Sequence, residues 1–264
     1  MPELTIGAGY VKALVDLAVS KGASRQVLVQ RAEINPGDLL NRDNRIPLGN
    51  YQALMAAAKS LCDEPALALQ LGEAASLSDI SIVGLIYKSS ATNAEAFAQI
   101  NRYGRLVVEV DGHRAEGRFK VEQIDGEFWM QDTRRDPNSF PELTESAFSM
   151  MICTQKKGGH PSYAKAIHFT HDEPANLEEY HRILNVPLVF NSDKNAILFN
   201  PALMLLPLSK ADDYTFGIFS ERADALLVSL QGSKTIRGQV EGWLIPILHT
   251  GTWSMDRLAE ALDG

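Results

Sequence analysis

The sequence predicts an α+β fold in which an N-terminal helical region packs on a mostly antiparallel sheet with flanking helices. Through most of the first 105 residues, apolar side chains recur at the spacing of amphipathic helices. From about residue 106 to 209, short alternating segments between turn sequences indicate β-strands instead. A helical segment at 176–184 interrupts these strands, so an all-β jelly roll fits the chain poorly.

The composition is that of a globular protein with a negative net charge. Of 264 residues, 45% are hydrophobic and 22% are charged, and 33 acidic against 25 basic side chains give a formal charge of -8. The chain by itself is therefore a poor nucleic-acid binder, because phosphate contacts need clustered Lys and Arg. Cys62 and Cys153 lie far apart without a CxxC partner, which argues against disulfides or a thiolate zinc site and favours a reducing compartment.

The chain lacks the sequence features of export and of membrane insertion. Its N-terminus has no basic lead followed by a long apolar run, as a signal peptide would. No window reaches the roughly 18 uninterrupted apolar residues of a membrane span. We expect a soluble, cytoplasmic protein without a membrane partner.

The N-terminal region is predicted to contain a series of short helices. Periodicity places them at 9–23, 25–32, 49–61 and 63–72, with Ser24 as a cap and a turn at 35–38. Thr92 and Glu95 have the spacing of a capping box, so a further helix is expected to begin there.

The following region is predicted to be mainly strands. Segments 106–110, 114–123 and 127–132 alternate apolar and polar residues, and Asp-Gly pairs at 111–112 and 125–126 indicate hairpins. A helix is expected over 141–153.

The segment 165–208 has the clearest local pattern. It predicts a strand at 166–169, a helix at 176–184, and two strands at 189–190 and 196–199 that form a hairpin across a polar turn.

A long helix is then predicted over 213–230, and its apolar residues form one stripe. This stripe either packs on its own domain or contacts the same helix of a second subunit. Its residues are Phe216, Phe219, Ala223, Leu226, Leu227 and Leu230. Further helices are expected at 236–248 and from Ser254 onwards.

The chemical motifs of enzymes and metal sites are weak. A zinc site would need four ligands in suitable spacing, and a solvated loop explains the available group better; the group is His168, His171, Glu173, Glu178 and His181. No G-x-S-x-G nucleophile elbow occurs. We expect no catalytic residue, no metal and no cofactor.

Aromatic and methionine side chains in the middle of the chain offer a flexible apolar wall for a small molecule, with tyrosine hydroxyls as polar anchors. Packing in the core is the simpler interpretation of each residue alone. The candidate ligand-binding residues are Tyr87, Tyr103, Trp129, Phe148 and Met151.

Three separated segments share residues with a known family. The first contributes Phe169, His171, Pro174, Tyr180, Val186, Pro187, Phe190, Asn195, Leu198, Phe199, Leu203, Pro207 and Leu208. The second contributes Arg45, Ile46, Pro47, Leu48, Leu54, Asp63, Ala66, Leu67, Leu69, Leu71 and Gly72, and continues through 84–92 to Glu95, Ala96, Phe97, Arg102 and Tyr103. The third is 253–264, which looks like the first helix of a helix-turn-helix. In this order they resemble AraC/XylS-type transcription regulators of the branch with an arabinose-binding-type N-terminal domain.

The resemblance implies a regulator whose sensor domain binds a small effector. It implies an effector-sensing domain over 1–209 (helical to about 105, α+β from about 106), a linker and dimerisation helix at 210–232, and the start of a truncated helix-turn-helix domain at 233–264. Because such regulators are commonly dimeric, it favours a homodimer through the apolar stripe, with DNA bound by the missing C-terminal part. A ligandless dimerisation or protein-interaction scaffold and, less favoured, a small-metabolite enzyme are the alternatives.

Overall fold

The structure, a computed structural model, describes residues 3–111, 117–157, 162–208, 211–235 and 240. Within them, short strands β1 (Thr5–Gly7) and β2 (Arg45–Pro47) pair antiparallel, and five further strands form a second sheet. Helices surround both sheets. The predicted α+β class, with its helical N-terminal region and mostly antiparallel sheet, is confirmed.

The N-terminal region is helical, as the apolar spacing predicted. Its helices are α1 (Ala8–Ser20), α2 (Arg25–Arg31), α3 (Leu48–Cys62), α4 (Leu67–Ala74), α5 (Leu77–Ile80), α6 (Ile82–Ser89) and α7 (Asn93–Val107). The periodic residues Val11, Leu14 and Val15 of α1 are fully buried. The pattern therefore identified the inner face of this helix correctly.

The start of α7 has the predicted cap. Thr92 Oγ1 accepts a hydrogen bond from the Glu95 backbone N–H at 3.2 Å, and Glu95 Oε2 accepts one from the Ala91 N–H at 2.6 Å. The two side chains thus satisfy backbone donors that the first helical turn leaves free.

The larger sheet consists of β3 (Phe119–Ile124), β4 (Glu127–Asp132), β5 (Ala164–His168), β6 (Leu188–Val189) and β7 (Ala196–Phe199), in the order β3-β4-β7-β5-β6. The β3–β4 hairpin is confirmed: Asp125 and Gly126 both have positive φ, 52° and 81°, as a tight two-residue turn requires. The other hairpin signal, at 111–113, lies mostly outside the described residues.

The hairpin predicted across 191–195 is wrong. β6 pairs parallel with β5 on the outer side, whereas β7 pairs antiparallel with both β4 and β5. Helix α9 (Leu177–Leu184) carries the chain from β5 to β6, which makes a β-α-β unit. Asn191, at φ 53°, then turns the chain away from β6 rather than into a hairpin.

The strand predicted at 106–110 is also wrong. Helix α7 continues through Val107, and beyond it only Val108 makes an isolated bridge, with Ile6. The branched residues here pack as the last turn of an amphipathic helix, so tertiary packing overrides their strand preference. The adjoining strand β3 begins at Phe119 in the described residues.

Helix α8 (Glu142–Lys157) lies between the helical region and the sheet. Its contact with α4 is close enough to require a glycine, since a Cβ at Gly72 would lie 1.9 Å from Ser149 Oγ. The short helix α10 (Pro201–Met204) and the long helix α11 (Asp213–Gly232) follow the sheet. Almost all of the segment 233–264, where the sequence predicts a helix-turn-helix, lies outside the described residues.

Across the ranges given above, none of the helices is both long enough and apolar enough to cross a membrane.

Candidate functional site

A cavity of about 110 Å³ lies between α6, α7, α8 and one face of the larger sheet. Most of its walls are aliphatic or aromatic. The lining residues are Tyr10, Leu77, Val83, Tyr87, Asn93, Phe97, Ile100, Gly104, Val107, Val108, Arg118, Phe119, Val121, Met130, Leu143, Ala147, Met150, Met151, Thr154, Gln155, Tyr163, Phe199 and Met204.

The apolar walls follow from secondary-structure periodicity. Helix α7 contributes residues three and four apart, at 93, 97, 100, 104 and 107, and α8 does the same at 143, 147, 150, 151 and 154. Val121 and Met130, which pair across β3 and β4, form part of the floor. Each element thus presents one face to the same space.

A group of uncharged polar side chains lies at the cavity wall. Gln155 Nε2 donates to Asn93 Oδ1 at 2.8 Å and to the Tyr87 hydroxyl oxygen at 3.1 Å. The Tyr87 hydroxyl in turn donates to Asn93 Oδ1 at 3.2 Å, and Asn93 Nδ2 donates to the Leu203 carbonyl. These bonds hold the side chains in fixed orientations in an otherwise apolar cavity.

The phenols of the cavity are neutral near neutral pH. Burial raises the pKa of Tyr87, and burial together with the proximity of Tyr87 raises the pKa of Tyr163. Both side chains therefore offer hydroxyl groups rather than charges to a ligand.

Arg118 is the one charged residue of the cavity lining in the described chain, and it is already paired. Its guanidinium donates to both carboxylate oxygens of Asp132, at 3.2 and 2.6 Å, and to the Leu143 carbonyl at 3.1 Å. Arg134 Nε donates to the same carboxylate at 3.3 Å. Burial alone would raise the pKa of Asp132, but Arg118 and Arg134 outweigh it and lower the pKa to about 2.

The structure brings together two of the five residues that the sequence suggested for ligand binding. Tyr87 and Met151 line the cavity. Phe148 packs in the core beside Phe169, with ring centroids 5.9 Å apart, and Trp129 packs against His168 with centroids 4.8 Å apart. Tyr103 lies on the far side of α7, where its hydroxyl donates to Asp224 at 3.0 Å.

Sequence reasoning missed the polar residues Asn93, Gln155 and Tyr163. Each is common at helix ends or in loops, so none stands out by composition. The spacing of Met151 to Gln155, one helical turn, was the available signal, because it places both on one face of α8.

Helix α11 packs on the outer side of the two helices that form a cavity wall. Its apolar stripe contacts α6 and α7 through Ala223, which is fully buried, and through half-buried neighbours, namely Phe216, Phe219, Leu226 and Leu227. Leu230, at the end of the stripe, is also buried. The stripe is therefore covered in good part by the same chain; its role in dimerisation remains a prediction.

Only one layer of side chains separates the cavity from the cluster around α11. Leu77, Val83, Ile100 and Val107 line the cavity and also belong to the cluster in which α11 packs. The same side chains therefore form the wall of the cavity and part of the surface on which α11 packs.

Polar contacts hold α11 at both its middle and its end. Asp224 accepts a hydrogen bond from the Tyr103 hydroxyl and ion-pairs with Arg102 at 2.9 Å. Just beyond the helix, Lys234 Nζ lies 2.6 Å from Glu109 Oε2. Glu109, directly after the segment that lines the cavity, also binds Thr5 and Arg105, so the end of α11 is tied to α7 and β1.

The described residues contain no group of three or more His, Cys, Asp or Glu side chains placed to hold a metal ion. Two of the histidines that the sequence drew attention to have other contacts. His168 Nδ1 is 3.0 Å from Ser192 Oγ, and His171 packs among aromatic rings near Glu145.

Comparison with known proteins places the chain in a family. The family described as the arabinose-binding domain of AraC transcription regulators, N-terminal, matches residues 22–208. A relative, the ornithine utilization regulator of Pseudomonas aeruginosa, is 24% identical over 243 residues, which are 91% of this chain and 70% of the relative. The solved structure of the transcriptional regulator CdpR from Pseudomonas aeruginosa shares the fold at 16% identity, with a TM-score of 0.50 over 90% of this chain and 73% of that chain. These proteins are regulators and not enzymes. The chain belongs to the AraC-type transcription regulators that have an arabinose-binding N-terminal domain.

Proposed function

We propose that this chain senses a small effector in the cavity and passes the signal through α11 to a DNA-binding domain. The supporting observation is the position of the cavity. Its α6–α7 wall is also the surface on which α11 packs, and Val83 and Ile100 contact both. A ligand that favours one packing of this wall shifts the population of α11 positions.

In this proposal, residues 1–209 form the sensor domain and 210–232 form the linker and dimerisation helix. Residues 233–264 begin the helix-turn-helix domain. Family membership supports this division, since an AraC-type regulator couples an N-terminal domain to DNA binding. The protein would act in the cytoplasm, where its DNA target is.

We also propose that the chain forms a homodimer through α11. The face of α11 turned away from α6 and α7 carries Tyr214, Ile218 and Val228, whose exposed fractions are 77%, 47% and 70%. Together with Ala225, these residues lie four, seven and three positions apart, which places them on one side of the helix as in a helix-pairing seam. A second copy of the chain would cover this face, while the inner stripe keeps α11 on its own domain.

The cavity supports a ligand sensor over a ligandless scaffold.

Ornithine fits this cavity poorly. The name of the relative concerns ornithine utilization. Ornithine carries two ammonium groups and a carboxylate, whereas this cavity offers uncharged groups and the paired Arg118.

Native mass spectrometry of freshly purified chain, compared with a denatured sample, tests the proposal. We expect a dimer that carries an additional small mass, and we expect Gly104→Leu to lose that mass, because Gly104 lines the cavity and a Cβ there has no heavy atom within 4 Å. If the dimer purified from cells grown under varied conditions never carries an added mass, the ligandless scaffold is favoured instead.

A further inference from the structure

We propose that the ligand of the cavity is a neutral, mainly hydrocarbon molecule that carries a hydroxyl group, bound by Gln155 Oε1 and the Tyr163 hydroxyl. This inference rests on the proposed function of the cavity as the effector site. The charge of the lining and its unused hydrogen-bonding atoms each support it separately.

The charge follows from the lining. Among the described lining residues Arg118 alone carries a charge, and Asp132 neutralises it with a bidentate pair. A ligand carboxylate would have to compete with Asp132, whose side chain is fully buried. A ligand ammonium would find no lining carboxylate. Burying a charge without a partner is strongly unfavourable, so the cavity selects neutral molecules.

The hydroxyl follows from two polar side chains that are more than nine-tenths buried at the cavity wall. Gln155 is 5% exposed and uses its amide nitrogen on Asn93 and Tyr87, whereas its Oε1 accepts no hydrogen bond within the described chain. Tyr163 is 8% exposed, and its hydroxyl makes no hydrogen bond to a described residue. Gln155 Oε1 can accept a hydrogen bond, and the Tyr163 hydroxyl can donate one. A ligand hydroxyl can satisfy both.

Gln155 and Tyr163 both line the cavity, and Gln155 also donates a hydrogen bond to Tyr87. The remainder of the wall is formed by side chains such as Phe97, Ile100 and Met151. In the proposed complex the ligand directs its hydroxyl to Gln155 and Tyr163 and its hydrocarbon part along these apolar side chains.

Calorimetric titration of the chain near neutral pH with three compounds of similar length, 1-nonanol, octanoate and nonylammonium, tests the inference. We expect 1-nonanol to bind and both charged compounds to bind at least about tenfold more weakly, because neither charge finds a free partner. Tyr163→Phe should weaken 1-nonanol about fivefold through the loss of one hydrogen bond. Tyr51→Phe is its matched control, because Tyr51 is a buried tyrosine outside the cavity lining and its hydroxyl makes no hydrogen bond to a described residue.

Two glycine variants locate the binding site. Gly104→Leu places a side chain in the cavity, and Gly49→Leu places one on the exposed start of α3; neither Cβ meets a heavy atom within 4 Å. Leucine also favours a helix over glycine, so both variants should fold. We expect Gly104→Leu to weaken 1-nonanol at least about tenfold and Gly49→Leu to leave it unchanged.

The possible failures are distinguishable. If octanoate or nonylammonium binds as tightly as 1-nonanol and Gly104→Leu blocks it, the ligand class is wrong although the cavity is still the effector site. If no compound binds but the purified chain still carries an added mass that Gly104→Leu removes, the ligand class is again wrong. If Gly104→Leu leaves that mass in place, the cavity is not the effector site and the inference falls with the proposed function.

Discussion

Glu145 is a carboxyl group in the interior, enclosed by α8, α9 and the loop after β5. Its side chain is 6% exposed; Oε1 accepts the Tyr180 hydroxyl at 2.5 Å and lies 3.4 Å from His171 Nε2. Burial raises its pKa more than Tyr180, His171 and Lys59 lower it. Since the pKa in the folded chain lies above that in the unfolded chain, stability falls as pH rises through the interval between them.

Glu145→Gln should flatten this pH dependence and raise the free energy of unfolding near neutral pH. The amide oxygen still accepts from Tyr180, and the amide nitrogen can donate to His171 Nε2, which is buried without a hydrogen bond to any described residue. Glu145→Leu should instead lose about 1–3 kcal/mol, because the Tyr180 hydroxyl is left without an acceptor. Urea unfolding of both variants across pH measures the effect; equal loss in both would contradict it.

Asp132 shows the opposite case, a buried carboxylate that is fully compensated. Asp132→Asn should lower the free energy of unfolding by about 3–5 kcal/mol, since Arg118 and Arg134 lose their counter-charge. The native pKa of about 2 is below the unfolded value, so the contribution is present at neutral pH and is lost as pH falls towards 2. The variant and the parent chain should therefore converge in acid.

Denaturant unfolding at neutral and acidic pH checks this prediction. Glu127→Gln, an exposed carboxylate on the same strand, is the matched control and should change stability by less than about 0.5 kcal/mol. If Asp132→Asn behaved like this control, the ion pairs of Asp132 would contribute nothing to the fold.

At the scale of single residues, the sequence revealed the apolar side of the cavity better than its polar side. Met151 and Tyr87 were found because apolar and aromatic residues carry a spacing signal. Gln155 and Asn93 were missed, because the hydrogen bond that joins them links residues 62 positions apart; only the helical spacing of Gln155 from Met151 indicated its side of α8. Tyr103 was wrongly predicted to line the ligand site, because its hydrogen-bond partner, Asp224, lies 121 positions away in the sequence.

Helix α11 is held on the domain by close packing at one small residue. Ala223 is fully buried in the cluster with Val83 and Ile86 of α6. Ala223→Leu should cost about 1–3 kcal/mol of stability, because added methylene groups have no space there. Hydrogen exchange should speed up at amides 213–232 more than at amides of α4, since α11 lies at the edge of the domain.

The matched control is Ala56→Leu, an exposed alanine within α3. It makes the same chemical change in a helix without crowding, so its stability should stay within about 0.5 kcal/mol of the parent chain. Unchanged exchange in α11 of Ala223→Leu would mean that the packing on α6 does not hold the helix.

At the scale of elements, periodicity predicted existence and type better than pairing. The inner faces of α1 and α8 followed from apolar spacing. The partner of β6 could not be predicted in this way. The turn at 191–195 suits a hairpin locally, whereas the β-α-β connection through α9 places β6 beside β5. Strand pairing depends on contacts distant in sequence, which local patterns do not contain.

At the scale of the whole molecule, α11 has two apolar faces, of which only the inner one is covered by described residues. The inner face packs on α6 and α7, and the outer face carries Tyr214, Ile218, Ala225 and Val228 towards solvent. The sequence indicated only the inner stripe, because that stripe contains more of the large apolar residues of α11. The outer row became apparent only when the structure showed which side is covered.

The outer face also has a suitable charge arrangement for a twofold pair. Glu221 and Arg222 lie at the middle of the row, and both are exposed. In an antiparallel pair centred between them, Glu221 of each chain faces Arg222 of the partner subunit, and Ile218 faces the small Ala225 of the partner subunit. Within one chain Arg222 is only weakly engaged, 3.9 Å from Asp43.

Sedimentation velocity over a range of concentrations tests this arrangement through a charge exchange. Glu221→Arg alone and Arg222→Glu alone should each weaken the dimer about tenfold, because like charges then meet at the centre. The double variant restores opposite charges and should dimerise nearly as well as the parent chain.

A charge placed on the apolar row tests the same surface. Ile218→Glu should give a monomer. Leu40→Glu is the control and should remain a dimer, because Leu40 is 89% exposed and lies outside α11. If the double variant were as weak as the single ones, the antiparallel geometry would be wrong; if Ile218→Glu stayed dimeric, the subunits would meet on another surface.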